Sequence, residues 1–223
     1  MVNTKVKNSV QSATEISNEV INVCRRVAVK GFVAATDGNI SVRLANGNIL
    51  TTPTSLNKGF VQKEDLVELS IDGKQINGNR KPSTEMKMHL FIYQQRSDVN
   101  AVVHCHPVYS TGFAAAGIPL NENIFPEMVI GFGAIPLAVY ATPSTDEVAE
   151  SLRPFVASSD AILLANHGVV TYGSDVWDAY FKMEKVEHIA HTLFVAQSLG
   201  GAKQLSNEQV LQLKELSKTI YGK

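Results

Sequence analysis

His104 and His106 stand one residue apart in the stretch AVVHCHP, and imidazoles at that spacing can share a metal ion. In an extended strand side chains alternate faces, so both rings project to one side while Val103 and Cys105 point to the other. His167 follows the hydrophobic run AILLAN and precedes Gly168, so it too sits where a strand gives out into a turn, much as His106 is followed by Pro107. Three imidazoles with one coordination position left open are what a catalytic Zn2+ uses, the vacancy taking substrate or water. Each residue also has a plainer reading: the pair can arise by chance, and a loop histidine such as His167 can simply bond to backbone.

Glu85 lies in PSTEMKMH, in the first turn of the helix expected to lead to the histidine strand. There it can act as a carboxylate stabilised by the helix dipole, an effect of about 0.3–1 kcal/mol that needs no function. Beside a dication it is held ionised and can serve as fourth ligand or general base. The stretches TDGNISVR and TTPTSLNKG are rich in hydroxyl, amide and Gly residues. With Ser83 and Thr84 at a helix start, they could give neutral donors to a phosphate. Ordinary turn chemistry explains Gly38 and Asn39 equally well. His188 and His191 share a helix face with Glu184 and Glu187, but no matching carboxylate motif stands elsewhere to complete a bundle metal site. His89, three residues after Met86, reads as a packed core or boundary residue, and Trp177 and Phe181 as core or subunit contact.

The elements that must position these groups follow from periodicity and turn signals. Ser12 and Glu15 have capping-box spacing, and Ile16, Val20, Val23 and Val27 recur at helical intervals up to Gly31. Ile40, Val42 and Leu44 alternate with polar residues, and Asn46-Gly47 turns the chain back into NILT. LVELSIDGKQI repeats the pattern around Asp72-Gly73, and Pro82 opens a helix to about Arg96. AVVHCH is a strand ended by Pro107; AIPLAVYAT is a strand, STDEVAESLRPF a short helix and AILLAN a buried strand. Long helices are expected from Asp175 to Leu199 and from Asn207 to Ile220. The hairpins exclude a purely parallel sheet.

With 223 residues and 44% hydrophobic content, the chain can bury one sizeable core. Twenty Lys and Arg against 21 Asp and Glu leave a net charge of -1, which argues against nucleic acid or anionic membrane as partner. No apolar run approaches the roughly 18 residues of a membrane span, and a soluble, cytoplasmic protein is expected. Cys24 and Cys105 are too few for a disulfide framework, and Cys24 reads as a small packed apolar residue.

Taken in order along nearly the whole chain, TDGNISVR, TPTSLNKG, PSTE, AVVHCHP, IPLAVYAT, LLANHG and KTIYG resemble the class II aldolase/adducin family, in pattern nearest its L-fuculose-1-phosphate aldolase-like members. The resemblance implies a single domain over residues 1–223, an α/β/α three-layer fold with a largely antiparallel central sheet. It implies Zn2+ or another divalent metal held by His104, His106 and His167, with Glu85 as resting ligand and proton-transfer residue. Substrate phosphate would be bound by Thr36, Gly38, Asn39, Thr54, Ser55, Ser83 and Thr84, Ser55 standing where aldolases of the family carry Gly. Tyr221 would be catalytic, reaching a neighbouring subunit's site in a homotetramer. The implied activity is reversible cleavage of a phosphorylated ketose to dihydroxyacetone phosphate and a short aldehyde. Decarboxylation of a phosphorylated 3-oxo sugar acid shares every ligand; the family's 4-epimerases carry Asp where Glu85 stands, and adducin-like binding modules lack the metal ligands. One departure is visible: the stretch NENIFPEMVIGFG has no tyrosine where such aldolases carry a proton donor, and offers only Glu127.

Overall fold

The structure, a computed structural model, describes residues 12–221. Helix α1 (Ala13–Val29) starts where the capping box requires: the Glu15 amide donates to the Ser12 hydroxyl at 3.2 Å and the Ser12 amide to the Glu15 carboxylate at 2.8 Å. It buries Val20, Val23, Cys24 and Val27 on one stripe. Strands β1 (Asn39–Arg43) and β2 (Ile49–Thr51) form the expected hairpin, followed by β3 (Val67–Leu69) and β4 (Gln75–Asn77). Then come α2 (Met86–Gln95), β5 (Ala101–Cys105), α3 (Val108–Ala115), α4 (Pro126–Gly131), β6 (Leu137–Ala138) and α5 (Asp146–Leu152). A second hairpin, β7 (Ala161–Leu164) and β8 (Gly168–Gly173), leads into α6 (Val176–Ser198) and α7 (Asn207–Tyr221).

The strands make one sheet in the order β4-β3-β2-β1-β5-β8-β7-β6. Each pairing is antiparallel except that of β6 with β7, so the largely antiparallel sheet expected from the hairpins is present. Both faces are covered. Val103 and Cys105 of β5, with Leu163 and Val169, face a layer containing α1, α3 and α6. The alternate residues Val102, Ile162, Leu164, Val170 and Tyr172 face α2 and α5. This period-two partition places His104 on the α2 side, one residue from the α6 side. Burying each Val or Leu in these layers contributes about 1.5–3 kcal/mol.

Three elements differ from the sequence expectation. The helix expected from Pro82 begins at Met86, because Pro82 is bridged to Pro53 and keeps the chain extended; Ser83, Thr84 and Glu85 lie before the first turn. AIPLAVYAT contributes only Leu137–Ala138, an edge strand between Pro136 and Pro143, after which Val139 and Tyr140 are exposed. Gly168–Gly173, where the sequence signals a Gly-containing turn after His167 and no strand, is fully buried strand. Phe181, expected in the core or at a subunit contact, is 53% exposed and so lies outside the core, while Trp177 beside it is half-buried. Cys24 and Cys105 are buried free thiols, and burial pushes the Cys24 thiol up to about 12. Among the described residues no helix is long and apolar enough to cross a membrane.

Candidate metal centre

The sheet brings three chain segments to one end. β1 and β5 pair with Asn39 opposite His104, and β5 pairs with β8 so that Cys105 lies opposite Val169, beside His167 and Gly168. His104, fully buried, is the penultimate residue of β5, His106 follows the strand's end, and His167 occupies the tight turn between β7 and β8. That turn is held by the His167 amide donating to the Leu164 carbonyl at 3.0 Å, with Asn166 in the left-handed region at φ 56°. Gly168 is required by packing: a Cβ there would lie 2.5 Å from His106 Cδ2 and 2.6 Å from the Cys105 carbonyl oxygen. Gly38 is required twice over, by φ +73° and by a Cβ position 2.9 Å from the His104 carbonyl oxygen.

One nitrogen from each of His104, His106 and His167 falls within 4.8 Å of the others. His104 Nδ1 lies 2.9 Å from the Val169 carbonyl, which can only accept, so the proton is on Nδ1 and the Nε2 lone pair points into the site. His106 Nε2 is 3.0 Å from that lone pair, while its Nδ1 faces the Asp37 carboxylate at 3.6 Å. Glu85 completes the cluster, Oε1 at 3.0 Å from His167 Nε2 and Oε2 at 3.4 Å from His104 Nε2. Ligand atoms about 2.1 Å from one tetrahedral metal lie roughly 3.4 Å apart, so the donor set fits a divalent ion of the zinc type.

The charges agree with that fit. Burial pushes His104 down to about 3, partly offset by Glu85, so the ring is a neutral ligand at physiological pH. Burial and the His167 ring lower His106, against the pull of Asp37 and Glu85. Burial alone would raise the Glu85 carboxyl, but His104, His167 and the Asn39 amide outweigh it and hold the group ionised, well below the usual carboxylate range. Glu85 occupies the cap position of α2 yet makes no side-chain capping bond; its carboxylate turns to the histidines instead.

The residues expected to meet a phosphate lie on three loops that abut. Lys58, buried, donates from Nζ to the Thr36 carbonyl at 3.0 Å and the Leu56 carbonyl at 2.8 Å, tying the loop of Thr36 and Gly38 to that of Thr54 and Ser55. The Thr54 amide donates to the Lys81 carbonyl at 3.0 Å, which sets Thr54 beside Ser83 and Thr84. Ser55 holds φ 57°, a backbone better suited to Gly. Asn39 differs from its companions: it is buried, and its side-chain amide donates to Glu85 Oε2 at 2.7 Å, toward the metal site. Tyr221 ends α7, and its side chain lies outside the described residues. Glu127 is exposed in the first turn of α4. His188 and His191 remain on α6, His191 stacked on Tyr109 at 3.8 Å between ring centroids. Asp37 and Lys58 are neighbours that sequence reasoning passed over, although both stand inside the quoted motifs; His89, read as a packed core or boundary residue, is fully buried.

The Class II Aldolase and Adducin N-terminal domain family profile matches residues 18–194. The chain is 37% identical over 182 residues to the L-fuculose phosphate aldolase of Methanococcus maripaludis, covering 81% of this chain and 97% of that protein. It is 32% identical over 184 residues to the 3-oxo-tetronate 4-phosphate decarboxylase of Escherichia coli, covering 81% and 86% respectively. A solved L-fuculose 1-phosphate aldolase superposes with a TM-score of 0.85 at 28% identity, over 94% of this chain and 99% of that one.

Proposed function

The chain belongs to the class II aldolase/adducin family, and from that premise we propose that it is a zinc-dependent aldolase acting on a phosphorylated ketose of the L-fuculose-1-phosphate type. The products are dihydroxyacetone phosphate and a short aldehyde, and the reaction is reversible. The observation that carries the reading is the convergence of His104, His106 and His167 on an ionised Glu85, 3.0 Å from His167. A divalent cation held there supplies Lewis acidity that polarises the ketone and stabilises the negative charge developing on its oxygen.

In the condensation direction Glu85 takes the proton from the carbon next to the ketone, and the electron pair left behind gives the enediolate. That carbon attacks the aldehyde carbon, and the aldehyde oxygen takes up a proton. Cleavage is the reverse, with Glu85 returning its proton to carbon. Thr36, Thr54, Ser55, Ser83, Thr84 and the Gly38 amide hold the phosphate through neutral donors, so remote binding energy orients the reacting centre. No Schiff-base amine is needed, and the buried Lys58 is already engaged by two carbonyls.

The same reading extends to one domain over residues 1–223, a cytoplasmic location, and a homotetramer in which Tyr221 reaches a neighbouring site. Support for assembly is an exposed apolar face made by Val108, Ile118 and Phe194. A second reading, decarboxylation of a phosphorylated 3-oxo acid, is favoured by the 32% identical relative and by the missing tyrosine in residues 121–133. There carbon dioxide leaves in place of the aldehyde, and the same carbon is protonated. Offering the zinc-loaded protein phosphorylated ketoses and 3-oxo acids, with dihydroxyacetone phosphate and carbon dioxide detected separately, tests both. Dihydroxyacetone phosphate is expected from the ketose; carbon dioxide alone would transfer the assignment, and neither product would refute it.

A further inference from the structure

β1 and α2 enclose a line of polar side chains in an otherwise apolar layer. Asn39 and Ser41, two apart on β1, share the face toward α2, and His89 and Tyr93, four apart on α2, face them. All four are 0–2% exposed, among Met86, Met88, Ile92 and Val102. Tyr93 OH lies 2.8 Å from Ser41 Oγ, Ser41 Oγ 2.7 Å from His89 Nδ1, His89 Nε2 2.5 Å from Asn39 Oδ1, and Asn39 Nδ2 2.7 Å from Glu85 Oε2. The string thus runs from the core to the group proposed to carry the proton.

Its direction is fixed from the Glu85 end. An ionised carboxylate only accepts, so Asn39 turns its NH2 to Glu85 and its oxygen to His89. His89 Nε2 must then carry the ring proton and donate. Burial pushes His89 down to about 4, so the ring is neutral, and its Nδ1 lone pair accepts from the Ser41 hydroxyl. Ser41 Oγ in turn accepts from Tyr93. With the opposite amide orientation, Asn39 Oδ1 would face Glu85 Oε2 at 2.7 Å, two acceptors in a buried site.

We infer that His89 is a positioning residue for Glu85: its Nε2–H locks the Asn39 amide so that Asn39 donates to Glu85 and holds the carboxylate toward the histidines. This rests on Glu85 being the ligand and proton carrier proposed for it. Asn39 thereby serves the metal site with its side chain, whatever its backbone offers a phosphate. A filler of the core would require only that His89 fit. A positioning residue requires a particular tautomer and a donor at one end with an acceptor at the other. Gln carries that pair at nearly the separation of the two ring nitrogens; Leu carries neither.

The test combines wild-type spectroscopy with two variants. Long-range 1H–15N spectra of the zinc-loaded protein at pH 7 should show His89 protonated at Nε2 only; protonation at Nδ1 would overturn the inference. His89→Leu should weaken zinc binding about 10- to 100-fold and lower kcat by a similar factor with little change in KM, as outer groups around metal ligands do. His89→Gln should restore most of both. A folded His89→Leu protein that binds zinc as tightly as wild type would reduce His89 to packing. Should His89→Leu fail to fold, the tautomer and His89→Gln still decide. Absence of aldol activity in the wild type would strike the proposed function alone, since the tautomer and zinc affinity are read without substrate.

Discussion

Glu85→Gln keeps the shape of the side chain and removes one charge and one basic site. In the structure Oε2 accepts from Asn39 at 2.7 Å, and a Gln oxygen can take that place. Its NH2 would then face His167, 3.0 Å from the present Oε1, where the carboxylate now supplies negative charge. Metal should therefore be substantially retained, held by His104, His106 and His167, while the group that exchanges a proton with carbon is gone. Loss of a general acid–base of this kind costs typically about 10²–10⁴ in rate, or roughly 3–5 kcal/mol of barrier. A purely structural Glu85 would act through the helix dipole alone, since it makes no capping bond, and its loss would cost at most about 1 kcal/mol of stability. The two expectations differ by orders of magnitude in turnover. The assay is exchange of the hydrogen on the reacting carbon of dihydroxyacetone phosphate with deuterated solvent, which needs no aldehyde and so does not depend on the substrate's identity. Exchange at the wild-type rate in zinc-loaded Glu85→Gln protein would show that Glu85 does not move the proton.

His167→Ala should abolish tight metal binding and activity, whereas His188→Ala on α6 should leave both nearly intact; zinc analysis of the two purified proteins separates them, and full occupancy in His167→Ala would end the ligand assignment. The dephosphorylated ketose should react far more slowly than the phosphate ester, and equal rates would remove Ser83, Thr84 and their neighbours from substrate binding. Metal-free protein should lose stability as pH falls. His89 sits at about 4 when folded against an ordinary 6.5, so below 6.5 the unfolded chain binds a proton that the folded ring refuses. Its contribution, intact above 6.5, declines toward pH 4 by on the order of 3 kcal/mol. Urea unfolding at pH 7.5 and pH 5 should show a smaller decline in His89→Gln, and an equal decline in both proteins would refute the shift.

Period-two alternation was enough to put His104 on one face of a strand and Val103 and Cys105 on the other, because that rule depends only on backbone geometry. The antiparallel hairpin of β1 and β2 was legible from Asn46-Gly47 for the same local reason. β8 was not: Gly-Val-Val-Thr-Tyr-Gly lacks alternation because both faces are buried, and its flanking glycines read as turns. Nor were α3 and α4, which are short and start without a hydroxyl or amide cap, at Pro107 and Phe125. Glu85 could be singled out by type, but that its carboxylate faces His104 and His167 could not be read from a helix start, since a first-turn carboxylate and a ligand look alike in sequence.

The site depends on two crossovers that local pattern cannot express. β5 lies between β1 and β8 in the sheet, although the start of β5 at Ala101 lies 58 positions after the end of β1 at Arg43, and His167 lies 62 positions after the end of β5 at Cys105. Antiparallel pairing then sets the start of β1, the end of β5 and the start of β8 at one end of the sheet, so Asn39, His104 and His167 converge without any shared motif. Both faces of the sheet are apolar there, and a polar group placed at such an end must be satisfied by another buried polar group or by a bound ion. His104 meets this with Val169 on one nitrogen and turns the other to His106 and Glu85; Asn39 meets it with His89 on one side and Glu85 on the other. The buried string behind Glu85 is therefore the consequence of building a charged centre at the end of a two-sided apolar sheet, and its members are the residues whose replacement should be felt at the proposed metal site.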